Sequence, residues 1–159
     1  MALHVRPATR ADVPVIFRFI CELADYERAR DQVKTDAEAL SEQLFGATPG
    51  AEVVIGEIDG TPRGFALFFH NFSTWEGKRG LYLEDLYVEQ AARGAGLGKA
   101  LLMHLARLAV ARNCARFEWA VLDWNTPALE FYAALGAQPL TEWTVHRLDG
   151  EALLALARR

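Results

Sequence analysis

A glycine-rich turn between a strand and a helix constrains this chain more than any other feature of its sequence. Three alternate glycines, Gly94, Gly96 and Gly98, separate an apolar run over residues 81–88 from an amphipathic segment over residues 97–112. A helix start of this kind leaves backbone N–H groups unpaired, and the helix dipole adds partial positive charge there. Because glycine has no Cβ, a ligand can approach the backbone closely. The pattern therefore predicts a phosphate-binding turn.

The two best-known nucleotide motifs do not describe this turn. A Walker motif would need a glycine at position 93 and a Ser or Thr at position 100, where this chain has Arg93 and Ala100. The hydroxyl that would hold magnesium is therefore missing. The dinucleotide fingerprint has the spacing G-x-G-x-x-G, whereas this turn has G-x-G-x-G. An ordinary strand–helix turn remains the alternative, although the flanking Arg93 and Lys99 favour an anionic ligand.

Composition and charge limit the possible classes of protein. A length of 159 residues predicts one domain over residues 1–159 with a real core. The net charge of −4 argues against nucleic acid as the main partner and is compatible with a cationic substrate. No apolar run approaches membrane-spanning length, and the first residues contain no apolar signal core. We therefore expect a cytoplasmic protein that does not enter a membrane.

The cysteines and histidines do not form a metal-binding pattern. Cys21 and Cys114 each lie within a helical apolar pattern, which predicts buried free thiols and a reducing compartment. The four histidines are scattered along the chain without the spacing of metal ligands, so we expect no metal site.

Hydrophobic periodicity and turn residues predict an alternating order of strands and helices. The predicted strands cover residues 3–6, 52–58, 63–72, 81–88, 117–122 and 143–148. The predicted helices cover residues 13–28, 35–45, 97–112, 126–135 and 151–158. This order is typical of an α/β domain whose mixed sheet carries helices on both faces.

The glycine turn resembles the acetyl-coenzyme A pyrophosphate loop of the GNAT N-acetyltransferases, written Q/R-x-x-G-x-G/A. The order of elements fits that fold over nearly the whole chain. Further blocks resemble the diamine (polyamine) N-acetyltransferase branch, which also holds enzymes that act on thialysine. These blocks are residues 6–9, 22–27, 82–85, 124–125 and 131–137. The resemblance implies a mixed, mainly antiparallel sheet, acetyl-coenzyme A as co-substrate and a homodimer.

The resemblance also assigns residues to the coenzyme. The strand residues Leu86, Tyr87 and Val88 would pair with the pantetheine arm and direct backbone N–H groups towards the thioester oxygen. Asn125 and Ala128 would hold the coenzyme, and Asn125 is in addition a possible helix N-cap. The pyrophosphate would bind at the turn, which consists of Arg93, Gly94, Ala95, Gly96, Leu97, Gly98 and Lys99.

Two residues are candidates for proton transfer. Acetyl transfer needs a neutral amine, and Glu84 is the candidate that removes its proton, directly or through water. The alternative for Glu84 is a solvated strand carboxylate, and a regular strand would turn its neighbour Asp85 to the other face. Tyr132 matches the family tyrosine that donates a proton to the departing thiolate. Its alternative is a core aromatic beside Phe131.

The branch implies a small cationic acceptor with a primary amine, either a polyamine or a diamine. Carboxylates near the acceptor would attract its positive charge. The resemblance places substrate contacts at Tyr26, Glu27, Glu84, Glu118, Trp119 and Ala120, and Asp123 and Glu142 could meet a second ammonium. Thialysine, another amino acid or a protein N-terminus are alternative acceptors. A coenzyme A-binding module without chemistry is an alternative from another class.

Overall fold

The computed structural model describes all 159 residues, Met1–Arg159, and divides into two compact units. The first unit, Met1–Ala120, contains a five-stranded sheet and three α-helices. The second unit, Val121–Arg159, contains two α-helices. The single domain expected for residues 1–159 stays a prediction.

The bounds of most elements follow the sequence pattern closely. The strands are β1 (Leu3–Pro7), β2 (Glu52–Ile58), β3 (Thr61–Ser73), β4 (Lys78–Val88) and β5 (Phe117–Trp119). The helices are α1 (Val13–Tyr26), α2 (Ala37–Phe45), α3 (Leu97–Ala111), α4 (Thr126–Ala134) and α5 (Gly150–Ala157). Three short 3₁₀ turns cover Arg10–Asp12, Arg30–Gln32 and Gln90–Ala92.

The sheet of the first unit is mixed and mainly antiparallel. Its strands lie in the order β1-β2-β3-β4-β5. The first four strands pair antiparallel, and only β4 and β5 are parallel. The predicted hairpin at Asp59-Gly60 is present, and both residues have positive φ values, 51° and 79°. The predicted α/β class with a mainly antiparallel sheet is confirmed.

Helices cover both faces of this sheet. On one face, α1 buries apolar residues at helical spacing, and the ring of its Phe19 stacks on Phe65 at 5.9 Å between centroids. On the other face, α3 buries Leu97, Leu101 and Leu105. A Cβ at Gly56 would lie 2.9 Å from the Leu97 side chain, so glycine is needed in β2 for the start of α3 to approach. This packing fixes the helix start that follows the glycine turn.

The second unit differs from the sequence prediction at residues 143–148. These residues form no strand, and Trp143 and Val145 are 65% and 87% exposed. A strand needs a partner for its backbone N–H and C=O groups, and this unit contains no other strand. The predicted strand over residues 117–122 likewise ends early, at Trp119.

The structure also describes the cysteines, the length of the helices and the arrangement of possible metal ligands. Both cysteines are free; Cys21 is buried as predicted, whereas Cys114 is half-buried. No helix is long and apolar enough to cross a membrane. No group of three or more His, Cys, Asp or Glu side chains is arranged to hold a metal ion.

Candidate active site

The glycine turn adopts left-handed backbone conformations at two of its three glycines. Gly94 and Gly96 have φ values of 89° and 87°, in the left-handed region that side chains disfavour. Gly96 is the N-cap of α3, and the first helical bond runs from the Ala100 N–H to the Gly96 carbonyl at 3.0 Å. The N–H groups of the three residues between them therefore have no helical partner.

Gly98 needs a different explanation, because its φ is not positive. A Cβ at this position would meet only Val88 Cγ2, at 3.8 Å, which is ordinary van der Waals contact. Neither backbone strain nor packing within the chain requires glycine here. Open space over unpaired N–H groups at a helix start is what an approaching phosphate needs. The turn therefore fits the pyrophosphate of a coenzyme.

Strand β4 extends beyond its pairing with β5. The two strands pair only between Leu81–Leu83 and Phe117–Trp119, whereas β4 continues to Val88. Leu86, Tyr87 and Val88 thus lie on a segment of β4 that β5 does not cover. A strand edge of this kind offers backbone N–H and C=O groups to an extended ligand.

A β-bulge at Glu84 breaks the regular alternation of β4. Asp85 pairs with Leu67 while Leu83 pairs with Phe68, so Glu84 is an extra residue without a partner on β3. Because directly opposed residues share a face, Asp85 lies on the face of Leu67, which packs against the α1 core. The expectation that Asp85 turns to the other face is conditional on a regular strand, and the bulge removes that condition.

The bulge groups three carboxylates at the end of α1. Burial, followed by the negative charges of Glu84 and Glu27, raises the pKa of Asp85 from 3.8 to about 6. Burial and the charge of Glu84 also raise the pKa of Glu27. Glu84 itself is exposed, as the bulged residue without a cross-strand neighbour. We call Glu27, Glu84 and Asp85 the acidic cluster, and its charge suits a cationic ligand.

The raised pKa of Asp85 predicts a pH-dependent cost in stability. As pH rises from about 4 to about 6, the unfolded chain releases this proton before the folded protein does, so the folded state loses stability. The difference between a pKa of 3.8 and one of about 6 corresponds to a loss of about 3 kcal/mol of folding stability above pH 6. We expect Asp85→Asn to be more stable than the wild type by about this amount at pH 8 and by little at pH 4. Urea unfolding at both pH values, with the exposed Asp31→Asn as control, measures the difference. An equal gain at both pH values would contradict this account of Asp85.

An open cavity of about 460 Å³ lies between the end of α1, β4 and the start of the turn. Its lining residues are Glu22, Asp25, Tyr26, Tyr87, Gln90 and Arg93. The Arg93 guanidinium lies 5.1 Å from the centre of the Tyr26 ring, and its Nε donates to the Val88 carbonyl at 3.1 Å. Tyr26 directly precedes Glu27, so the turn and the acidic cluster are neighbours.

The predicted contacts on β5 lie beside β4. Glu118 is opposite Tyr82 and accepts a hydrogen bond from Asn71 Nδ2 at 3.4 Å. The ring of Trp119 packs against Phe117 at 5.0 Å between centroids. Ala120 is exposed at the end of the first unit.

The remaining predicted residues belong to the second unit. Asn125 is the N-cap of α4, and its Oδ1 accepts from the Ala128 N–H at 3.4 Å, which confirms the capping prediction. Tyr132 is half-buried, with its ring 5.4 Å from that of Phe131. Asp123 and Glu142 are exposed. The coenzyme role of Asn125 and Ala128 and the acid role of Tyr132 stay predictions.

Comparison with known proteins identifies the class. The model of the Acetyltransferase (GNAT) family matches residues 18–137. The chain is 42% identical to a thialysine N-epsilon-acetyltransferase of Bos taurus, with 96% of each chain covered. It is 33% identical to the spermidine/spermine N(1)-acetyltransferase-like protein 1 of Homo sapiens, over 97% of this chain and 24% of that protein. The fold also matches an integron cassette protein from the mobile metagenome of V. cholerae, with a TM-score of 0.83, 26% identity and coverage of 100% and 99%. The chain therefore belongs to the GNAT family and is an N-acetyltransferase, as its sequence predicts.

Sequence reasoning did not single out Asp85, the third member of the acidic cluster. The available signal was a pair of adjacent carboxylates, Glu84 and Asp85, inside an otherwise apolar strand. Two such neighbours in a regular strand would leave one of them on a buried face, which is costly for a carboxylate. The bulge places Asp85 on the face that packs against α1, where burial raises the pKa of its carboxyl.

Proposed function

We propose that this enzyme transfers the acetyl group of acetyl-coenzyme A to a primary amine of a small cationic acceptor. The observation that carries the acceptor class is the acidic cluster, which the bulge at Glu84 assembles beside the end of α1. Three carboxylates together favour a positive ligand over a neutral or negative one. Membership of an N-acetyltransferase family supplies the reaction.

The coenzyme is proposed to bind along β4 and the glycine turn. When bound, it supplies an acetyl group held as a thioester. The unpaired N–H groups at the start of α3 would bind its pyrophosphate, with Arg93 and Lys99 adding positive charge. The uncovered edge at Leu86, Tyr87 and Val88 would align the pantetheine arm and stabilise charge on the thioester oxygen. Asn125 and Ala128 are proposed further contacts, from resemblance.

The chemical step needs a base and an acid from the chain. Glu84 is exposed at the bulge, so it can reach the proton of an incoming ammonium directly or through water. Loss of that proton gives the amine the lone pair with which it attacks. Tyr132 is the proposed acid for the leaving sulfur, because a phenol stays protonated at neutral pH. Glu27 and Asp85 would hold a second positive group of the acceptor.

We rank two classes of proposed acceptor. The relative at 42% identity is named for the N-epsilon amine of thialysine, and we place an amino acid with a terminal side-chain amine first. A polyamine comes second, supported by the acidic cluster and by the 33% identical relative named for spermidine and spermine. Tyr26, Glu118, Trp119, Ala120, Asp123 and Glu142 are proposed contacts for either acceptor.

Steady-state kinetics with thiol detection tests the role of the acidic cluster. We expect Glu27→Gln to raise KM for the cationic acceptor about tenfold with a small change in kcat, because it removes attraction rather than chemistry. Glu84→Gln should lower kcat about tenfold or more, because the base is lost. Added salt should raise the acceptor KM of the wild type and have less effect on Glu27→Gln.

The exposed Glu38 on α2 provides a matched control. Glu38→Gln makes the same change in net charge away from the cluster and should keep wild-type kinetics. If Glu38→Gln and Glu27→Gln raise the acceptor KM equally, net charge rather than the cluster is responsible, and the proposed acceptor site is wrong.

The homodimer and the cytoplasmic location are further proposals. Exposed apolar side chains of the second unit support self-association, among them Trp143, Val145 and Leu154 at 65%, 87% and 53% exposure. Two free thiols support a reducing compartment.

A further inference from the structure

Glu89 lies in the short connection between the end of β4 and the glycine turn. It follows Val88, the last residue of β4, and precedes the short 3₁₀ turn Gln90–Ala92 that leads to Arg93. Its side chain is only 13% exposed. Its backbone N–H donates to the Arg63 carbonyl at 2.8 Å, which continues the contact with β3 beyond the end of β4.

Two arginines from different elements hold the Glu89 carboxylate. Arg18 of α1 donates to Oε1 at 2.7 Å, and Arg63 of β3 donates to Oε2 at 3.0 Å. Burial disfavours the charged carboxylate, but the hydrogen bonds from Arg18 and Arg63 outweigh it and lower the pKa of Glu89. Both oxygens are used, so the side chain is fixed in direction as well as in charge.

The same network extends from Glu89 towards Arg93, at the other end of the segment over residues 89–93. Arg18 also donates to Glu22 Oε2 at 2.8 Å, and the Tyr87 hydroxyl donates to Glu22 Oε1 at 2.8 Å. The Arg93 guanidinium lies 5.8 Å from the centre of the Tyr87 ring. The segment is thus held at Glu89 by α1 and β3 and at Arg93 by α1 and β4.

We propose that Glu89 is a positioning residue for the coenzyme turn: its ion pairs with Arg18 and Arg63 hold the start of the turn in the place where its N–H groups meet the pyrophosphate. This inference rests on the proposed coenzyme site. The glycines that open the turn to a ligand also make it flexible, since glycine has the largest backbone freedom. An anchored turn loses less conformational entropy when it binds, so the anchor increases affinity without touching the ligand.

Glu57 is a matched control for the loss of a bridging carboxylate. Its side chain is also 13% exposed and accepts from Arg6 Nε at 3.1 Å and contacts His4 Nδ1 at 3.3 Å. It lies on β2 in the same sheet and belongs to neither the turn nor the acidic cluster. Glu57→Gln and Glu89→Gln therefore remove the same charge from similar surroundings.

The test combines calorimetric binding of acetyl-coenzyme A with steady-state kinetics. We expect Glu89→Gln to raise the coenzyme Kd and KM about tenfold, with kcat at saturating coenzyme within about twofold of the wild type. Glu57→Gln should keep the wild-type Kd and KM for the coenzyme, even if it lowers the melting temperature by as much as Glu89→Gln does. Wild-type coenzyme affinity in folded Glu89→Gln, or an equal rise in both variants, would overturn the proposal.

Two further measurements separate the possible failures. If Glu89→Gln does not fold, Arg63→Gln removes one of the two partners from a half-exposed position and should raise the coenzyme KM about threefold. A wild-type KM in Arg63→Gln would then overturn the proposal. If the wild type itself binds no acetyl-coenzyme A in the calorimeter, the proposed function fails, and the positioning role fails with it.

Discussion

Gly98→Ala is expected to weaken acetyl-coenzyme A binding about a hundredfold and to leave the protein as stable as the wild type. The added methyl group meets only Val88 Cγ2, at 3.8 Å within the chain, so it costs no packing. It would instead fill the space over the unpaired N–H groups at the start of α3. Loss of one or two hydrogen bonds to a charged phosphate, at about 1.5–3 kcal/mol each, gives an effect of this size.

Gly50→Ala is the matched control for this prediction. A Cβ at Gly50 would also have its nearest neighbour at 3.8 Å, and Gly50 lies outside the turn without a positive φ. Calorimetry should show wild-type affinity for Gly50→Ala. If Gly98→Ala binds the coenzyme as tightly as the wild type, the pyrophosphate does not bind at this helix start. A substitution at Gly98 tests coenzyme binding more selectively than one at Gly96, because the φ of 87° at Gly96 would strain any side chain.

Tyr132→Phe is expected to lower kcat about a hundredfold with little change in the KM for acetyl-coenzyme A. The substitution removes one oxygen and keeps the ring, so packing against Phe131 is preserved. Without the phenol, the sulfur must leave as an unprotonated thiolate, and general-acid catalysis typically contributes a factor of this order. Single-turnover rates isolate the chemical step from product release.

Phe131→Leu is the control for packing in this helix. It removes an aromatic contact at 5.4 Å but no hydroxyl, so it should affect stability more than the chemical rate. A wild-type single-turnover rate in folded Tyr132→Phe would contradict the proposed acid role and leave Tyr132 as a packing residue. A hundredfold loss in both variants would mean that the helix, and not the hydroxyl, is required.

Local sequence signals predicted most of the fold. Strand β2 has the predicted bounds, 52–58, because its alternation ends at an Asp-Gly hairpin turn. Helix α2 begins where Asp36 caps it, with the Ala39 N–H donating to its carboxylate at 2.8 Å. Conformational preferences of this kind depend on a few neighbouring residues, so they can be predicted from the sequence alone.

The features that the sequence did not predict depend on distant partners. The bulge at Glu84 exists only in the register between β3 and β4, and it changes which face Asp85 occupies. The pair of Arg18 and Glu89 joins residues 71 positions apart. Residues 143–148 alternate like a strand but have no strand partner within their unit. No local pattern encodes these relations, because each depends on the tertiary arrangement.

Competition between acceptors tests the central claim most directly. The enzyme would be incubated with acetyl-coenzyme A and an equimolar mixture of thialysine, spermidine, putrescine and alanine, and the products quantified by mass spectrometry at low conversion. We predict acetylation of the terminal amine of a cationic acceptor, with thialysine first and alanine almost unmodified. Faster acetylation of alanine than of every cationic acceptor would contradict the role of the acidic cluster, and the absence of any acetylated product would contradict the proposed acceptor class.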